Sequence, residues 1–187
     1  QWSSGKIKYT ARRSITYLFE MGFFSLIYPH LSCQQKRASL LYTKITEETI
    51  GELKKDAKPT LILLPHLSLF ETLATSVIFR PPGNKTLGAI YRPNSNPAID
   101  RWINKSRTDL GIKVFSRNEG LIQARNHLKE GNWLVLLFDQ NAGHGGQLSL
   151  FLNRICSISP LPDILTKGIS ANFVLATPFR SSFFQAK

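Results

Sequence analysis

The chain has 187 residues, 42% of them apolar, with 24 Lys and Arg against 12 Asp and Glu and a formal net charge of +12. Length and apolar content fit one globular domain and exclude an intrinsically disordered segment, while two cysteines, Cys33 and Cys156, exclude a disulfide scaffold and cannot alone make a metal site. The excess positive charge predicts an acidic partner, which leaves nucleic acid, an anionic membrane, a phosphorylated lipid or an acidic carrier protein.

From the N-terminus, Ile7 to Tyr28 carries aromatic and aliphatic residues behind a basic start, which predicts one or two amphipathic helices. Ser39 to Lys55, rich in Leu, Glu and Lys, predicts another. Residues 1–58 are thereby set apart as a helical segment, and 59–187 as an α/β core. Thr60 to Phe79 is 20 residues long with Glu71 its one charged residue, close to the about 20 residues that span a bilayer. Pro65-His66 in its middle would be costly at mid-bilayer. It therefore reads as a buried strand at Thr60–Leu64, a turn, and a helix over Leu67–Phe79, and no membrane-spanning helix is predicted.

Thr86 to Tyr91 predicts a second strand, Pro97 to Leu110 a helix, Ile112 to Phe115 a third strand and Gly120 to Glu130 a helix stopped by Gly131. Trp133 to Phe138 is a fourth, strongly apolar strand, followed by a Gly-rich loop over Gly143–Gly146. Leu148 to Leu152 and Asn172 to Thr177 predict further strands around a helix near Pro162–Gly168. This alternation predicts an α/β fold with a mostly parallel sheet flanked by helices.

Ligands of open α/β sheets bind beyond the carboxyl ends of the strands. His66, Arg92 and Asp139 each follow an apolar run and fall where a site would need them. His66 and Glu71 form His-x-x-x-x-Glu, in which a carboxylate could hold an imidazole acting as general base. Five residues apart on one continuous helix, they would be about 140° apart, so the pair works only with His66 ahead of the helix. Ser68-x-x-Glu71 also fits a capping box, in which Glu71 merely stabilises the helix start. Asp100 and Arg107, seven apart, share a helix face. Arg80 to Arg125 holds nine Lys and Arg against three acids, half of the whole excess. Asp139 follows a buried strand and could cap a turn or position Arg92, Arg107 or a substrate. Gly143, Gly145 and Gly146 lack the Lys-Ser/Thr of a P-loop. His30, His127 and His144 have no partners at metal-ligand spacing, so no metal is predicted.

Taken together, His66…Glu71, Tyr91-Arg92-Pro93-x-x-Asn96-Pro97-x-x-Asp100, Arg107, Arg117 and Asp139-Gln140 resemble the lipid A biosynthesis lauroyl/myristoyl acyltransferase family of bacteria, over roughly Thr60 to Arg180. That family is similar in its central logic to glycerolipid acyltransferases, which carry a His-x-x-x-x-Asp. The sequence departs from the family pattern at Asn141, at Ser106 and at Phe151-Leu152-Asn153, where relatives often carry an acid, a Gly and a Phe-Phe-Gly-like stretch respectively. The resemblance implies that His66 is the general base, Glu71 its orienting partner, and Arg107 and Asp139 further catalytic residues. Arg92, Asn96, Asp100, Arg117 and Gln140 are then expected to bind substrate.

The implied reaction moves a fatty acyl group from an acyl carrier protein thioester to a hydroxyl of a lipid A precursor, without a cofactor. The implied partners are the acyl carrier protein, the phosphorylated lipid acceptor and an anionic membrane surface. The implied place is the cytoplasmic face of the bacterial inner membrane, with 1–58 close to the bilayer and any anchor, like the family's final helices, outside Gln1–Lys187. A lysophospholipid or another glycolipid is the alternative acceptor. A basic nucleic-acid-binding domain is the alternative of another class, although no binding motif or Lys/Arg-rich tail supports it and no nucleic acid is expected.

Overall fold

The computed structural model describes residues 2–41, 43–70, 79–182 and 185–186. Ser3 caps one long helix, α1 (Ser4–Ile27), its hydroxyl accepting the Lys6 N–H at 3.3 Å. Phe24 of α1 and Tyr28 just beyond it join the core, whereas Ile7, Ile15, Leu18, Phe19 and Phe23 remain exposed. Buried Glu20 accepts a hydrogen bond from Arg180 Nε at 2.8 Å, which fastens α1 to the far end of the chain. Two shorter helices follow, α2 (Cys33–Ala38) and α3 (Lys44–Lys55). The helix predicted from Ser39 begins only at Lys44, because Thr43 Oγ1 accepts the Thr46 N–H at 3.1 Å and caps it there. No helix among the described residues is long and apolar enough to cross a membrane.

The chain then alternates through β1 (Thr60–Leu64), β2 (Leu87–Tyr91), α4 (Pro97–Thr108), β3 (Ile112–Ser116), α5 (Leu121–Lys129) and β4 (Trp133–Leu137). An antiparallel ribbon comes next, β5 (Gln147–Phe151) and β6 (Arg154–Ile158), then α6 (Leu161–Thr166) and β7 (Asn172–Leu175). A second small ribbon pairs β8 (Arg180–Ser182) with β9 (Gln185–Ala186). The main sheet has five strands, all parallel, in the order β3-β2-β4-β1-β7. The fold is therefore the mostly parallel, helix-flanked α/β arrangement that the alternation predicts.

Its apolar strands are explained by cover on both faces. Side chains alternate along a strand, so Trp133 and Val135 of β4 pack on one face with Ile62, Leu64 and Leu87. Leu134 and Leu136 pack on the other with Leu61, Ile90, Leu128 and Leu165. Phe24, Tyr28, Leu40 and Ile50 lie in the first of these clusters, so the N-terminal helices share the core of the sheet.

Two further local expectations differ. The helix predicted over Leu67–Phe79 does not begin at Leu67. Residues 68–70 form a turn, with Ser68 in the left-handed region at φ +50°, and 71–78 lie outside the described residues. An N-cap residue is extended, so Ser68 is not one here. Its Oγ is buried without a hydrogen-bond partner among the described residues. The other difference is β6, unforeseen because the turn before it, Leu152-Asn153, contains no glycine. Both residues take positive φ, +50° and +60°, as a two-residue hairpin turn requires.

Candidate active site

His66 and Asp139 meet because of register. β1 and β4 are neighbours, with Leu64 opposite Leu137, and each of the two residues stands two positions past that pair. Asp139 then grips His66 twice. Its Oδ2 accepts the His66 backbone N–H at 2.9 Å, and its Oδ1 lies 2.6 Å from ring Nδ1. A tight turn over Pro65–Leu67, closed by the Leu67 N–H donating to the Pro65 carbonyl at 2.8 Å, sets His66 at its centre. The Phe70 ring stands edge-on to the imidazole, centroids 5.2 Å apart.

The electrostatics favour a carboxylate. Burial alone would raise the Asp139 pKa, but the hydrogen bonds from the His66 ring and backbone, with the attraction of the imidazole, outweigh it and hold it below the ordinary value. An ionised Asp139 accepts from Nδ1–H, which selects the tautomer whose Nε2 is unprotonated. Both side chains keep 31% of their surface exposed, so the pair sits at the rim of a cleft and substrate can reach it.

That cleft has a volume of about 260 Å³. Its floor is apolar, from Leu64, Val135 and Phe138, and its walls carry His66, Arg92, Asp100, Arg107, Arg117 and Gln140. Arg92 follows β2 and Arg117 follows β3, and the Arg117 N–H donates to the Tyr91 carbonyl at 2.8 Å, joining those two strand ends. Asp100 and Arg107 both reach the cleft from α4, as their seven-residue spacing predicts. Asp100 also shapes the rim: Oδ1 accepts the Asn94 N–H at 2.7 Å and Oδ2 accepts Asn104 Nδ2 at 3.0 Å.

Two sequence expectations end elsewhere, and a third falls outside the described residues. Asn96 caps α4 through Oδ1, 2.9 Å from the Ala98 nitrogen and 3.4 Å from that of Ile99, and is not among the residues lining the cleft. Asp139, expected to position an arginine or the substrate, gives both oxygens to His66. Glu71 lies outside the described residues. What sequence reasoning missed is the His66–Asp139 pair itself, which are 73 positions apart and become neighbours only when β1 and β4 pair. It also missed Asn141, which lines the cleft and accepts the Gly143 N–H at 2.8 Å.

The remaining histidines play other parts. His127 is buried, its Nε2 3.2 Å from the Trp133 carbonyl, and burial lowers its pKa. His144 is exposed in a short 3₁₀ turn at Gly143–Gly145. No group of three or more His, Cys, Asp or Glu among the described residues is placed to hold a metal ion. The arrangement thus offers an oriented imidazole, a fixed carboxylate behind it and three guanidinium groups around an apolar-floored cleft. Such a set can take a proton from a hydroxyl and bind or stabilise negative charge.

Residues 7–182 match the family model for bacterial lipid A biosynthesis acyltransferases. No curated protein matches the chain.

Proposed function

Since the chain belongs to the bacterial lipid A biosynthesis acyltransferase family, we propose that it moves a fatty acyl group from an acyl carrier protein thioester to a hydroxyl of a lipid A precursor, with His66 as general base. The observation that carries this reading is the doubly held His66–Asp139 pair at the rim of an arginine-lined cleft. His66 Nε2 takes the hydroxyl proton as the acceptor oxygen attacks the thioester carbonyl. Arg107, Arg92 and Arg117, which line the same cleft, would bind a phosphate of the acceptor or stabilise the oxyanion. Collapse of the tetrahedral intermediate breaks the C–S bond. The carrier thiolate recovers the proton from His66, leaving an ester and a free carrier thiol. Asp139 keeps the ring in the working tautomer and offsets its positive charge while it holds the proton.

The net charge of +12 supports the acidic carrier, the phosphorylated acceptor and an anionic membrane alike. The proposed site of this reaction is the cytoplasmic face of the inner membrane, where a carrier-borne donor would meet a lipid acceptor. The test is turnover with an acyl carrier thioester and a lipid A precursor, alongside a lysophospholipid and a neutral glycolipid. His66→Ala and Asp139→Asn are each expected to lower kcat about 10²–10⁴-fold with a smaller effect on KM. Glu71→Ala belongs in the same assay, and a comparable loss would make Glu71 a second orienting group. Near-wild-type turnover in both His66→Ala and Asp139→Asn would sink the mechanism, and preference for the lysophospholipid would move the acceptor.

A further inference from the structure

The β5–β6 ribbon carries its apolar side chains into solvent. In the pairing register Leu150 lies opposite Ile155 and Leu148 opposite Ser157 on one face, while Phe151 lies opposite Arg154 on the other. Leu148, Leu150, Phe151, Leu152 and Ile155 are 66–82% exposed. A flat protein partner would cover one face of such a ribbon, but these residues occupy both faces and the turn. The surroundings they suit enclose the tip on all sides, as the acyl region of a bilayer does. Charge points the same way: between Gln140 and Pro162 the one charged residue is Arg154, a cation beside the turn, and no carboxylate stands there to repel an anionic headgroup. The turn is also costly as built. Leu152 holds φ +50°, a conformation that suits Asn or Gly far better than a branched aliphatic side chain.

The base of the ribbon is tied to the cleft. The Ala142 N–H donates to the Ser157 carbonyl at 3.1 Å, and Ser157 Oγ donates to the Gly143 carbonyl at 2.6 Å. Asn141 and Ala142 before the ribbon, and Ser159 after it, line the cleft holding His66. We propose that the β5–β6 ribbon inserts its tip into an anionic lipid surface and so presents the His66 cleft to an acceptor embedded there. This deepens the acyltransferase reading by naming the element through which the chain would dock on a membrane, and it rests on that reading only for the identity of the acceptor.

The experiment is flotation of the full chain with phosphatidylcholine vesicles made with and without phosphatidylglycerol. Leu150→Ser with Ile155→Ser is expected to weaken partition about tenfold for each side chain removed. Leu152→Asn is expected to weaken it similarly without lowering Tm, since Asn suits φ +50°, which separates lost binding from lost folding. Arg154→Gln lowers the preference for anionic vesicles about fivefold. All three variants keep turnover on a water-soluble acceptor and lower it on a vesicle-embedded one in step with their partition. Undiminished partition of the Leu150/Ile155 and Leu152 variants overturns the proposal. So does a change from dimer to monomer with partition unaltered, which would seat a second copy of this chain on the ribbon. His66→Ala floats like the wild type, so a failure of the chemistry and a failure of the docking are read separately.

Discussion

At the scale of single residues, Asp139 has a structural part besides the one proposed for it in the reaction. Its two hydrogen bonds to His66 tie the end of β4 to the turn after β1, so its charge state also bears on stability. The folded pKa lies below the unfolded value, which for Asp is about 3.9. Between the two, the unfolded chain binds a proton that the folded chain does not. The stabilisation is therefore complete above the unfolded pKa and is lost as pH falls through the lower, folded one. Urea unfolding of wild type and Asp139→Asn should show a stability gap that is constant from neutral pH to about pH 5 and closes in more acidic buffer. A gap that instead widened with acid would mean that the carboxylate is not the stabilised form.

At the scale of elements, the βα connections decide where the arginines stand. Gly120, the N-cap of α5, donates its N–H to the Ser116 carbonyl at 2.7 Å. A Cβ there would sit 2.7 Å from Ser116 N and 2.8 Å from Ser116 O, backbone atoms of the connection that carries Arg117. Gly88 in β2 is tight for a different reason, since its Cβ would meet the Phe115 and His127 rings at 2.8 and 2.9 Å. Both alanine variants are expected to lose about 1–3 kcal/mol in urea unfolding. Gly120→Ala should in addition raise KM for a phosphorylated acceptor, because it shifts Arg117. Equal KM in the two variants would show that the connection does not position that guanidinium.

Elements also explain what was legible in the sequence. β1 and β4 could be read because cover on both faces demands continuous apolar residues, and Asp100 with Arg107 because helical spacing is local. β6 could not, since its ribbon exposes apolar residues that a buried strand would hide and turns on Leu152-Asn153. The partnership of His66 with Asp139 was out of reach for another reason. Each residue was recognisable at a strand end, but which strand ends are neighbours is decided by tertiary pairing. The nearby Glu71 was the only carboxylate that sequence proximity could offer His66.

At the scale of the whole molecule, half of the net charge falls within Arg80–Arg125, the stretch that supplies three guanidinium groups to the cleft. A localised field of this kind would speed encounter with the proposed acidic carrier, and salt would screen it. Raising salt from about 0.1 M to about 1 M shortens the screening length from about 10 Å to about 3 Å. The expected result is a fall in kcat/KM of the order of tenfold for the acyl carrier thioester, and little change for a short neutral thioester. An equal response of both donors would mean that the charge does not act through the carrier.

The strand order carries a consequence for how the chain reaches its active form. β1 is bordered by β4 and β7, so both of its partners lie far downstream and leave the ribosome long after it. Until they arrive, an apolar strand with two open edges must be kept from other chains. Closing such distant parallel pairs is slow compared with forming helices such as α1 or α4. Because His66 and Asp139 come together only through the β1–β4 pairing, the proposed general base is assembled at the same step. Partly folded chains rich in helix are then expected to be chemically silent, and the recovery of the proposed turnover would mark the moment at which the centre of the sheet has closed.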